Sequence, residues 1–197
     1  MDVDHDGSLF EYPDDNHQDR PRIPLTRVLW MGRTRIVVAV VGVLVVTVYA
    51  ALLAVQQLVL DPLAAVPGTS LGAIHAHLER QGFDVRGDVV AVLVTAAIGV
   101  ALAIVVATVT LWRRVEPHFV VAWMLGIIAA GAVPFFAAGF QLGMDVADAY
   151  GVSGGAHTAW AGVLYVTSLV ALVAIPVVIV FGERRRALRA TSGPRVA

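Results

Sequence analysis

Five residues of this chain have the chemical types to do more than pack: His75, His77, Asp145, Asp148 and His157. Imidazole and carboxylate together suit zinc or another divalent metal. Asp145 and Asp148 are three apart, so a helix running past Gly143 brings them to one face. His157 follows Gly154-Gly155, a pair that lets the chain turn back toward those carboxylates. Asp145, Asp148 and His157 are therefore the candidate metal ligands. His75 and His77 are two apart, hence on opposite faces of a helix, and at most one of them can join. The plainer reading is polar residues in short exposed loops. No nucleophile with a base and no Gly-rich phosphate cradle accompanies them, so no catalytic residue, cofactor or nucleic-acid partner is expected. There is no cysteine, which removes thiolate, iron–sulfur and disulfide chemistry together.

The elements that must position these residues are set by four long charge-free runs, about 36–58, 89–111, 119–141 and 158–181. Each matches the ~20 apolar residues that cross a ~30 Å hydrocarbon core as helix. The backbone must satisfy itself in lipid, and the runs are too long for strands, so helices are predicted. Composition agrees: 58% of residues are hydrophobic and 15% charged, too apolar for a soluble domain of 197 residues. The first run is too long, and its polar leader too extended, for a cleavable signal peptide. The expected fold is all-α, a polytopic four-helix transmembrane bundle.

All 14 basic residues are arginine, and their distribution orients the bundle. Arg20, Arg22, Arg27, Arg33 and Arg35 precede the first span. Arg113 and Arg114 lie between the second and third, and Arg184, Arg185, Arg186, Arg189 and Arg195 follow the fourth. The first connection has only Arg80 and Arg86 among four acids, and the third has none. Twelve arginines against two place both termini in the cytoplasm of a cell-membrane protein. Residues 1–19, with seven acids, read as a disordered acidic tail. Residues 20–35 are a basic juxtamembrane segment in which Ile23, Leu25, Val28, Leu29, Trp30 and Met31 fit the membrane surface. Residues 182–197 are a basic cytoplasmic tail. Its Arg184, Arg185, Arg186 and Arg189 suit anionic lipid, although orientation alone explains them.

In the first outer connection, Thr69 or Ser70 can cap a short helix over Leu71–Gln81 that Gly82 closes. Leu71, Ile74 and Leu78 share one face, which predicts a helix on the bilayer surface or over the bundle mouth. The preceding stretch, Asp61-Pro62-Leu63-Ala64-Ala65-Val66-Pro67-Gly68, with this layout resembles uncharacterised four-helix membrane proteins of high-GC Gram-positive bacteria. The resemblance implies the helix arrangement and no activity.

Within the spans no Asp, Glu, Lys, Arg or His occurs, which argues against proton-coupled transport and haem ligation. Gln56, Gln57, Thr95, Thr108, Thr110, Gln141, Tyr165, Thr167 and Ser168 remain polar at depth. Interhelical or same-helix hydrogen bonds account for them, each worth about 1 kcal/mol or less. Pro134 and Pro176 interrupt the third and fourth helices, and Gly139 and Gly143 form a G-x-x-x-G pair suited to close packing. The pattern points to a non-enzymatic accessory, assembly or scaffold protein acting through a membrane-protein partner or a second copy. Transport of a neutral or apolar solute through the proline kinks is the alternative, and an outer-face metal-dependent enzyme or sensor a third.

Overall fold

The computed structural model describes residues 25–191, with side chains from 33 to 188. The acidic tail 1–19, residues 20–24, the Arg189 side chain and the last six residues lie outside that range. The described chain is helical throughout its elements: α1 (Leu25–Val55), a π-helical turn (Gln56–Leu60), α2 (Asp61–Ala65), α3 (Leu71–Arg80), α4 (Val85–Trp112), α5 (Pro117–Tyr150) and α6 (Ala159–Thr191). Four helices are long and apolar enough to cross a membrane, the first of them running from Arg33 through the π turn to Ala65. This is a multi-pass helical membrane protein.

The helices outrun the charge-free segments because nothing stops a helix at the hydrocarbon edge except a cap. At 34 residues, α5 is roughly 50 Å long, well beyond the ~30 Å core. It begins with Pro117 in its first turn and ends at Gly151, whose φ of 65° provides the left-handed stop. Asp84 caps α4 by accepting the Gly87 N–H at 3.0 Å. The α1 backbone is continuous from Leu25, so residues 25–35 are joined to the first span without a break. Both Pro134 and Pro176 lie inside helices that continue past them.

α5 is central, packing against α1, α4 and α6, while α6 is held chiefly by α5. The membrane-depth core contains Val46, Leu53, Val92, Ala103, Val120 and Ile128. A second apolar cluster closes the end that carries few arginines. There Ser70, not Thr69, caps α3, its Oγ accepting the Ala73 N–H at 3.3 Å. Ile74 and Leu78, both at 0% exposure, pack with Ala65, Val85, Leu142 and Val146. The predicted face is thus real, and it resolves the choice of position: α3 sits over the bundle mouth against α4 and α5. Leu71 is only half-buried at its edge.

Candidate functional site

The arginine-poor end gathers most of the polar side chains, and it sorts them differently from their spacing. α5 does run past Gly143, so Asp145 and Asp148 are on one helix, yet the boundary between core and surface falls between them. Asp145 is 4% exposed, whereas Asp148 is exposed. Three residues on a helix differ by about 60° in direction, enough to straddle that boundary. Asp145 Oδ1 accepts the Gln141 amide at 3.0 Å. Its other neighbour is Asp88, in the first turn of α4, with which it makes a carboxyl–carboxyl contact. Two ionised carboxylates are acceptors only, so they repel each other across that contact. Asp88 Oδ2 is otherwise buried without a partner.

His157 is elsewhere, on Asp61. Its main-chain N–H donates to Asp61 Oδ1 at 2.8 Å, and its ring Nδ1 stands 3.8 Å from Oδ2, too far for a hydrogen bond. Ser153 Oγ is 3.3 Å from Nε2 on the ring's other side. The expected trio is therefore divided: Asp145 belongs with Asp88, His157 with Asp61, and Asp148 faces away. Among the described residues no three His, Cys, Asp or Glu side chains gather in a way that could hold a metal ion. His75 and His77 diverge as their spacing requires. His77 packs against Tyr150 with ring centroids 4.7 Å apart and planes tilted by 47°, and it meets Gln81 at 2.9 Å. His75 Nε2 is buried with no partner.

Sequence reasoning undervalued the residues that build the site. A π turn inserts one extra residue into a helix, and such turns recur at functional sites. Here it holds Gln56 and Gln57, immediately before Asp61. Gln56 is 2% exposed and donates to Thr158 Oγ1 at 2.6 Å, while its Oε1 is buried without a partner. Gln57 reaches toward Tyr165 of α6 and lies on Gly139, where a Cβ would collide with its amide. Gly139 is thus used for close approach, but to a side chain instead of a helix backbone. Gly143 lines the cleft beside it, and Gly126 and Gly131 have open space around them. The cleft between the π turn, α5 and α6 has a volume of about 90 Å³, room for about three waters at their liquid volume. Phe136 forms one wall, 6.4 Å from the Tyr165 ring and edge-on to it. The signal in the sequence was the run Gln56-Gln57 followed four residues later by Asp61, three polar groups at one end of an apolar helix.

Deeper in the bundle the polar groups are spent on holding helices. Tyr49 OH contacts Ser168 Oγ and the Leu164 carbonyl, and Ser168 donates to the Ile128 carbonyl at 3.0 Å. This chain joins α1, α6 and α5. Thr47, Thr95, Thr108, Thr110 and Thr167 each donate to a carbonyl one turn back in their own helix. At the arginine-rich end, His118 lies between Glu116 at 3.5 Å and Glu183 at 3.4 Å. Arg186 reaches Glu116 at 3.4 Å, and Arg184 and Arg185 are exposed. His118 and His157 stand at opposite ends of α5 and α6, as the spans require.

The fold and these contacts define a polytopic helical membrane protein with a small polar cleft at its arginine-poor end. The chain matches no known protein family, no curated protein and no solved structure.

Proposed function

We propose that the chain is a non-enzymatic accessory, assembly or scaffold protein of the cell membrane, with both termini in the cytoplasm. The observation that supports this reading is the fate of the polar groups at membrane depth. The Tyr49–Ser168–Ile128 chain and the five back-bonded threonines leave a dry core of Val46, Leu53, Val120 and Ile128 with no polar line through it. Such a bundle is suited to packing against another membrane protein or a second copy, since helix association in lipid depends on shape and dispersion. Arg184, Arg185, Arg186 and Arg189 follow the last apolar run, so anionic headgroups on the cytoplasmic face are the natural contact for them, at about 1 kcal/mol per residue near the surface. Arg186 shares itself with Glu116.

Crosslinked affinity capture of the tagged protein from native membranes, read by mass spectrometry, tests the proposal. A stoichiometric membrane-protein partner, or a second copy, is the expected result. A lone monomer with no recurrent partner sinks it. A second reading, passage of a neutral or apolar solute, is favoured only by the cleft at the π turn. Its signature is flux in proteoliposomes that falls when Pro134 and Pro176 are replaced.

A further inference from the structure

The cleft at the π turn is lined by one acceptor that the protein leaves unpaired and by a carboxylate with little positive charge around it. Gln56 is almost wholly buried and lines the cleft, yet its Oε1 has no donor. An amide oxygen left unpaired in such a place is expensive, and native proteins rarely tolerate it without a ligand or water. Asp61 also lines the cleft, with its side chain 17% exposed. It is compensated by one main-chain N–H and by an imidazole 3.8 Å away, its one ion-pair contact among the described residues. A half-dry carboxylate with so little positive charge around it draws a cation. The Tyr165 hydroxyl, beside Gln57, has a second lone pair with which to accept, and the ring of Phe136 stands next to it.

We propose that this cleft binds a primary ammonium group. Asp61 is its counter-ion, Gln56 Oε1 and the Tyr165 hydroxyl its further acceptors, and Phe136 its aromatic wall. An –NH3⁺ group has three N–H donors and no acceptor, which matches three acceptors around a small volume. A water would satisfy Gln56 but bring no positive charge to Asp61. A bare metal ion holds its water too tightly to exchange it for the face of Phe136, whereas a weakly hydrated organic ammonium is attracted by an aromatic ring. Phe136 and Phe140 are each about half-exposed along the cleft's flank, so the group can arrive from water on a soluble amine or from the side on an aminophospholipid. The binding chemistry is the same in both cases. The site stands apart from the assembly role, and failure to capture a partner leaves it intact.

The full-length protein in phosphatidylcholine nanodiscs is titrated with ethylammonium chloride by calorimetry, against sodium chloride and propanol as charge and shape controls. A parallel preparation in nanodiscs containing phosphatidylethanolamine is released into native mass spectrometry. Saturable ethylammonium binding assigns a soluble amine, and a retained phosphatidylethanolamine assigns the lipid headgroup. Either supports the proposal if Asp61→Asn weakens it by about tenfold or more, the scale of one charge-assisted hydrogen bond. Tyr165→Phe keeps the ring and weakens binding by about fivefold, and it decides the matter if Asp61→Asn does not fold. Propanol or sodium binding as well as ethylammonium, no binding of either probe to the wild type, or unaltered binding in the folded variants overturns it.

Discussion

Two apolar clusters hold this bundle, and they are buried from different solvents. The core around Leu53 and Val120 lies at membrane depth, where the alternative to burial is lipid. The cluster around Ile74 and Leu78 caps the arginine-poor end beneath α3, whose other face bears Glu79 and Arg80 and meets water. Exposure hardly distinguishes them: Leu53 is 1% and Leu78 0% exposed. Yet transfer from water contributes only to the second, at about 25 cal/mol per Å². Membrane-depth packing rests on dispersion and on a few hydrogen bonds, because lipid tails are as apolar as leucine. Burial therefore does not measure stabilisation unless the competing solvent is named.

That contrast gives the largest expected effect. Leu78→Ala loses both transfer and cavity terms, about 2–5 kcal/mol, and thermal unfolding in nanodiscs reports a fall of several degrees. Leu53→Ala keeps its lipid-like reference and loses chiefly the cavity part, about 1–3 kcal/mol. If Leu53→Ala lowers Tm as much as Leu78→Ala, the distinction between the two clusters is broken.

The polar contacts sharpen it further. Asp61→Ala strands the His157 N–H and should lower stability by about 1–3 kcal/mol, the cost of an orphaned buried group; Tm and loss of hydrogen-exchange protection at His157 check it. Asp88→Asn works in the other direction. It replaces a carboxyl pressed against Asp145 by an amide that can donate to it, and should stabilise by about 1 kcal/mol, raising Tm at neutral pH. No gain would mean that the surroundings already accommodate the two carboxyls as they stand. The smallest change is expected at the opposite end. Glu183, half-exposed beside His118, makes an ion pair that water screens, so Glu183→Gln should alter stability by at most about 1 kcal/mol, as surface pairs do. A larger drop would show that His118 clasps α6 to the start of α5 more firmly than its exposure implies.

The spans, the α3 helix with a cap at Thr69 or Ser70 and a stop at Gly82, and the shared face of Ile74 and Leu78 were all legible along the chain. Each depends on residues near one another in sequence, where length, caps and periodicity act directly. The site was legible only in fragments. Asp145, Asp148 and His157 were the right residue types at the right end, but grouping them assumed that a shared end means a shared place. Asp61 and Asp88 counted merely as charges, and Gln56 and Gln57 as interfacial structure.

What the sequence determined by itself is the number of crossings, the helical state and the asymmetry of arginine. A run of ~20 uncharged apolar residues has one low-energy form in lipid, whatever its neighbours do. What only the tertiary structure decided is which polar groups meet: Asp88 with Asp145, Asp61 with His157, and Gln57 with Tyr165 over Gly139. Those meetings depend on the rotation and approach of α4, α5 and α6 and on one extra residue in the π turn. A single inserted residue turns everything beyond it by about 100°, and no local pattern along the chain records that rotation.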